Sequence, residues 1–275
     1  RGLQLVLRMV SDFGSRASEA IRQLADQGCN SILIPWRPEI LVVSELTQLV
    51  QESPIPVATA FPLPGLEKHC YEKPGEFGKA DHVAVEMACK YLHALGYGHI
   101  AFFGPDTLTG EDLSRRVLAY NRFTSRQGLG SFVGLVRPEA EDVDRIVRGW
   151  SSMAGDLAVL CYDDDFAIRL MTALHKMDLR IPEDVAVLGF NNIPLGKATD
   201  PPLSTIQFDY GYVARSLIEH AQAMANGALA QASGHVREVL VIRESCGGRA
   251  RCGERLSEII EQSQSYWKSA STDAM

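Results

Sequence analysis

The strongest constraint on this chain is an alternation: short apolar, β-branched runs exchange places with stretches of helical period along most of its length. Runs that are apolar throughout keep no polar face for water. They therefore read as strands of parallel sheets covered on both faces by helices. The series opens with a strand at 3–7. A helix from Ser15 follows, with Ala17, Ala20, Ile21 and Leu24 on one face and Gly28 as its stop. A strand at 31–34, a helix at 39–51 and a strand at 55–58 come next. After an excursion through Pro62, Pro64, Pro74 and Gly75 the rhythm resumes with a helix at 80–95 and a strand at 99–103 that ends at Gly104-Pro105. A helix at 112–127, a strand at 131–136, a helix at 140–153, a strand at 156–161, a helix at 164–177 and a strand at 185–190 follow. Asp209 opens a further helix that Gly227 closes, and 236–243 reads as the last strand.

These strands are too many for one small sheet, and 275 residues suffice for two medium domains. The expected fold class is α/β, with two doubly wound parallel-sheet lobes and a ligand cleft between them. The expected division is 1–104 with 209–232 for the N-terminal lobe and 105–208 with 233–252 for the C-terminal lobe. Residues 253–275 form a tail in which Leu256, Ile259, Ile260 and Trp267 mark an amphipathic helix. In doubly wound sheets ligands gather outside the carboxyl ends of strands. The places to search are Ser11-Asp12, Pro35-Trp36, Pro105-Asp106, Tyr162-Asp163-Asp164 and Phe190-Asn191-Asn192.

Composition narrows the function classes. Charged residues make up 22%, and 27 Lys and Arg stand against 34 Asp and Glu, a formal net charge of −7. That balance disfavours a surface built mainly to grip nucleic acid. No apolar run approaches the roughly 18–20 residues of a membrane span, so no membrane association is expected. The six cysteines, Cys29, Cys70, Cys89, Cys161, Cys246 and Cys252, show no CxxC spacing and read as reduced core thiols of a cytoplasmic protein. Signatures of catalysis are missing: there is no GxGxxG, Walker A, GxSxG or HExxH. Asp163-Asp164-Asp165 has the chemistry of a magnesium site, but three acids at a helix start read more simply as a cap favoured by the helix dipole. No catalytic residue, metal or cofactor is expected.

The stretch AVLCYDDDFAIRLMTALHKMDLRIPEDVAVLGFNNIPLGKATDPPLSTI from Ala158, together with VIRESCG at 241–247, resembles the effector-binding region of the lactose/galactose repressor (LacI/GalR) family of bacterial transcription regulators. RQLADQGCNSILI and YLHALGYGHIAFFG fit the same family, so the resemblance runs from residue 2 to about 247. It implies a periplasmic-binding-protein-like fold of two lobes linked by three crossovers, with the helix from 209 in the first lobe. It implies side-by-side homodimers, a small-molecule effector such as a sugar or sugar derivative in the cleft, and operator DNA bound through an N-terminal helix-turn-helix that this chain does not contain. The match begins at the family's second strand. Either residues precede Arg1 or the first lobe is unusual, because the family's first strand and helix have no counterpart here.

The resemblance also implies site residues. RRVLAY places Arg116 as the effector-binding arginine, with Ala119 where a glycine is usual. A planar guanidinium can serve two neighbouring hydroxyls or a carboxylate; the competing role is a solvated helix arginine. CYDDDFA puts Asp163 and Asp164 on the family's Asn-Asp pair, and GFNN puts Asn191 where an aspartate is common. Turn and cap chemistry competes for these positions. Trp36, Tyr162, Phe166 and Phe190 lie near strand ends, where an aromatic ring can cover the apolar face of a sugar or base, or simply fill the core. Two other functions share the fold class: a periplasmic solute-binding protein, and a cytoplasmic α/β enzyme of sugar metabolism.

Overall fold

The computed structural model describes residues 4, 6–8, 15–34, 43–60, 63–70, 79–106, 111–137, 143–228 and 238–270. The chain forms two compact units, residues 1–77 with 209–236 and residues 78–208 with 237–275, so it passes between them three times.

In the first unit, α1 (Ser15–Asp26), β1 (Ile32–Ile34), α2 (Val43–Gln51) and β2 (Val57–Thr59) alternate as expected. β1 and β2 pair in parallel, with Ile32 opposite Val57 and Ile34 opposite Thr59. Ile21, Leu24, Leu46 and Leu49 pack with Val57 on one side of this ribbon. The late helix α7 (Tyr210–Ala225) brings Leu217 and Ala221 against Ala58, which makes it part of this unit despite its place in the sequence. Of the expected strand at 3–7, the described residues 4, 6 and 7 join no ladder, nor does residue 8, and Leu7 is 79% exposed. An apolar run becomes a strand only where a neighbouring ladder takes up its backbone groups. Residues 3 and 5, and 39–42 of the second expected helix, lie outside the described residues.

The second unit is a six-stranded sheet in the order β4-β3-β5-β6-β7-β8. Its strands are β3 (His99–Pro105), β4 (Phe132–Val136), β5 (Leu157–Cys161), β6 (Val185–Phe190), β7 (Ser204–Phe208) and β8 (Glu238–Val241). Successive residues of each strand face opposite sides of the sheet and feed two cores. Phe102, Leu160 and Leu188 join Tyr91, Leu92 and Tyr120 on the side of α3 (Lys79–Ala94) and α4 (Glu111–Gln127). Ala101, Val159 and Val187 join Val147, Leu170 and Leu174 on the side of α5 (Val143–Trp150) and α6 (Asp164–Lys176). The buried β5, with Cys161 at its end, and the equally buried β6 are the central strands that their unbroken apolar runs predict.

Two features depart from the sequence reading. β3 pairs with β4 and β5, so it and α3 belong to the second unit, and the boundary lies at 77/78 rather than 104/105. The proline and glycine of 104–105 end a strand without ending a domain, because the ladder partners of β3 come later in the chain. β7 was not anticipated as a strand, and β8 pairs with it antiparallel. The two are joined by an excursion through the first unit and not by a helical crossover on the sheet, which removes the usual demand for parallel pairing. After a short α8 (Gly248–Cys252), the tail forms α9 (Leu256–Ala270) as its amphipathic spacing predicts, and α9 is no loose end. Ile259 is buried, and Leu256 and Ile260 pack on the α3 core, so the amphipathic face is spent inside the unit. Among the described residues no helix is long and apolar enough to cross a membrane. All six cysteines are free, and Cys70, Cys89, Cys161 and Cys246 are buried.

Because Ile259 is only 4% exposed in that core, Ile259→Ala is expected to cost about 2–5 kcal/mol of stability through lost burial and a residual cavity. Urea unfolding of the full chain measures it. A loss under about 0.5 kcal/mol would show that α9 is not an integral part of the unit.

Candidate functional site

The sheet order reverses beside β3: the chain runs outward from β3 to β4, then returns to place β5 on the other flank. At such a switch point the two connections leave in opposite directions and open a crevice at the carboxyl ends of the strands. Here α4 follows β3 and α6 follows β5, and Arg116 of α4 reaches Tyr162, just before α6.

Arg116 comes from the first turns of α4. It is 8% exposed, which rejects the solvated role. Its guanidinium carbon lies 4.0 Å from the centroid of the Phe190 ring and 4.7 Å from that of Tyr162. Nη1 donates to the Tyr162 carbonyl. Stacking and a backbone acceptor together fix the plane of a group that is otherwise costly to hold out of water. Tyr162 is half-buried, its ring edge-on to Phe166 with centroids 6.2 Å apart, and Phe166 meets Phe103 at 5.9 Å. Phe190 is fully buried against Phe208 at 5.0 Å, so it serves as the floor beneath Arg116 and offers no face of its own.

The two aspartates of the sequence reading separate into different roles. Asp163 caps α6, its Oδ1 accepting from Phe166 N–H at 2.9 Å, and stays half-buried beside the Arg116 charge. Asp164 is 1% exposed. It accepts from the Thr205 hydroxyl at 2.6 Å and from Ile193 N–H at 2.8 Å, and the Phe190 backbone N–H adds a third donor. The Asp164 carboxylate is thus engaged inside the protein, and it ties α6 to the end of β6 and the start of β7. Gly189 exists to allow this, since a β-carbon there would run into the Asp164 carboxylate. Asn191 takes a left-handed backbone at φ 101° and Asn192 another at φ 54°, a conformation that asparagine tolerates better than most residues. Asn191 N–H donates to Ile206 O at 2.7 Å, which extends the β6–β7 ladder by one step. Trp36, with Ser11-Asp12 and Pro35, lies outside the described residues.

Sequence reading did not single out Thr205 or Arg243 as parts of this region, and it named Asn192 only within the Phe190-Asn191-Asn192 strand end. Thr205 and Arg243 stand in the STI and VIRES runs and served there only as marks of resemblance. A buried carboxylate needs donors, and that need alone would have directed attention to Thr205. Among the described residues no group of three or more His, Cys, Asp or Glu side chains could hold a metal ion.

Burial raises both carboxyls above the ordinary aspartate range. The cap from Phe166 and the Arg116 charge limit the rise at Asp163, and the Thr205 hydroxyl and two backbone N–H groups limit it at Asp164. The stability tied to a raised carboxyl is present in full below its unfolded value and is lost as pH rises through its folded value. Asp163→Asn keeps the cap and removes the charge. The stability of this variant relative to the parent is therefore expected to improve as pH rises through that acid window. A difference that does not change with pH in urea unfolding contradicts the assignment.

Comparison with known proteins agrees with this geometry. Residues 89–246 match the model of the periplasmic binding protein-like domain. The HTH-type transcriptional regulator GalS of Salmonella typhimurium is 27% identical over 221 residues, covering 76% of this chain and 60% of the relative. The HTH-type transcriptional regulator AscG of Escherichia coli is 24% identical over 235 residues, covering 82% of this chain and 66% of the relative. The chain thus spans about three fifths to two thirds of the length of these relatives. A crystal structure of a sugar-binding transcriptional regulator of the LacI family from Escherichia coli, complexed with phosphate, shares the fold with a TM-score of 0.64 at 23% identity, over 84% of this chain and 82% of that one. By sequence match and fold, the chain belongs to the periplasmic binding protein-like domain family, among relatives that are regulators of the LacI/GalR type.

Proposed function

We propose that this chain is the effector-binding and dimerisation region of a LacI/GalR-type transcription regulator that works in the cytoplasm. It binds and does not turn over its ligand, and operator DNA is engaged through a separate helix-turn-helix module. The observation that carries the reading is the stacked Arg116 above Tyr162 and Phe190, next to Asp163 and at the switch point of the second unit's sheet. A fixed guanidinium, a half-buried carboxylate and an amide at Asn191 supply both donors and acceptors, while the half-buried rings of Tyr162 and Phe166 supply an apolar surface. A sugar, or a small polar molecule of similar shape, presents the complementary surface. Effector binding acts by shifting the population between two conformations, to the extent that its affinity for them differs.

The exchange of Asn for Asp at 163 and of Asp for Asn at 191, relative to the family pattern, leaves the number of carboxylates unchanged. We read the pair as matched to an effector whose donors and acceptors are exchanged between these two positions. The test is calorimetry with neutral monosaccharides and their derivatives. Arg116→Ala is expected to weaken binding by roughly 10–100-fold, the value of a charge-assisted hydrogen bond. Asn191→Asp alone is expected to cost about 1–3 kcal/mol of binding, and adding Asp163→Asn to recover part of it. Strictly additive losses would mean that the two residues do not meet through the ligand. Undiminished binding in Arg116→Ala would sink the site assignment.

A further inference from the structure

Two adjacent pairs stand at the carboxyl ends of β5 and β6, Asp163-Asp164 and Asn191-Asn192. In each pair the second member is held by side-chain partners, Asp164 in a buried position and Asn192 in a half-buried one. Asp164 accepts from Thr205 Oγ1 at 2.6 Å and from Ile193 N–H at 2.8 Å. Asn192 N–H donates to the same Thr205 Oγ1 at 3.3 Å, and its side-chain amide donates to Gln207 Oε1 at 2.8 Å. Arg243, just beyond β8, donates from Nη2 to Asn192 Oδ1 at 2.6 Å and from Nη1 to the Leu203 carbonyl, while its own N–H donates to Ser204 Oγ at 2.8 Å. Asp164, Thr205, Asn192 and Arg243 therefore form one hydrogen-bonded chain, and Ile193 N–H closes it back onto Asp164. It crosses from the start of α6 to the end of β6 and the start of β7, and on to Arg243, two residues past β8.

We propose that this network is a positioning device: Asn192 and Arg243 hold Asn191 at a set spacing from Asp163, and so fix the geometry with which those two residues meet an effector. The inference rests on the site assignment above for its ligand, but its structural half does not. Segment 191–193 needs such a clamp, because two consecutive non-glycine residues take positive φ there and each is held against its local preference. A left-handed asparagine alone does not account for the arrangement. Glycine would meet the backbone requirement better, yet it would supply neither the oxygen that Arg243 grips nor the amide that reaches Gln207.

That contrast gives the test, made on the full chain with Asn192→Gly, Asn192→Asp and Arg243→Gln. Glycine relieves the backbone and deletes both side-chain bonds. Aspartate keeps the acceptor for Arg243, and the Gln207 amide can turn to donate to it. The first readout needs no ligand: hydrogen exchange of the amides of Asn191 and Ile193. About tenfold or faster exchange is expected in Asn192→Gly and Arg243→Gln, near-parental exchange in Asn192→Asp, and unchanged protection in β5. Parental exchange in Asn192→Gly, or loss of protection spread evenly into β5, overturns the proposal. The second readout is calorimetric binding of D-galactose, D-glucose, D-ribose and D-fructose. Where the parent binds one of them, Asn192→Gly is expected to weaken it about tenfold and Asn192→Asp by less than about threefold. Equal affinity in all variants overturns the positioning role. A parent that binds none of the four counts against the sugar reading of the site, and the exchange measurement then decides the clamp by itself.

Discussion

The carboxylate of Asp164 is the constraint around which the carboxyl edge of the larger sheet is arranged. A charge held out of water is tolerated only where donors surround it, and removing one donor costs more than the bond itself contributes. Here the donors come from two stretches distant from it in sequence: the Thr205 hydroxyl on β7, and the Phe190 and Ile193 N–H groups at and just past the end of β6. Satisfying one side chain thus fixes the relative position of the α6 start and of two strand ends. Gly189 is part of the same solution, since only a residue without a β-carbon leaves room for that carboxylate.

Around this buried tie lie the residues of the proposed effector site. Asp163 precedes Asp164 and caps α6 from a half-buried position, while Asn191 follows Phe190 as the strand runs out. Arg116 reaches the same region from α4 and is flattened on Phe190 and Tyr162. Its guanidinium is oriented before any ligand arrives, and orientation gained in advance is affinity not spent on ordering. Of these two adjacent polar pairs, Asp164 is buried, while Asp163, Asn191 and Asn192 are half-buried.

Much of the architecture was legible in the sequence because it is written locally. The apolar runs at 157–161 and 185–190, the cap at Asp163 and the helix opening at Asp209 each depend on a few neighbouring residues, and the structure contains all of them. What escaped was set by distant partners. β3 could not be assigned to its unit from its own residues, because its ladder is completed by β4 and β5. β7, hidden after two prolines at 201–202, is a strand by virtue of β6 and β8. The site shows the same split. Arg116 was offered by the family resemblance, and Tyr162, Asp163, Asp164, Phe190 and Asn191 by their place at strand ends; the structure brings Arg116, Tyr162 and Phe190 together, and nothing local could show that the Asp164 carboxylate and the Phe190 ring turn inward. Trp36 lies outside the described residues.

The most direct measurement is a double-mutant cycle between Asp164 and Thr205, using Asp164→Asn, Thr205→Val and the pair, read by urea unfolding of the full chain. The account predicts that either single change is costly, and that the pair costs less than the sum by about 1–3 kcal/mol, since the second change removes a group that the first had already left unsatisfied. Losses that add to within about 0.5 kcal/mol would contradict it, and would mean that the carboxylate and the hydroxyl do not depend on one another.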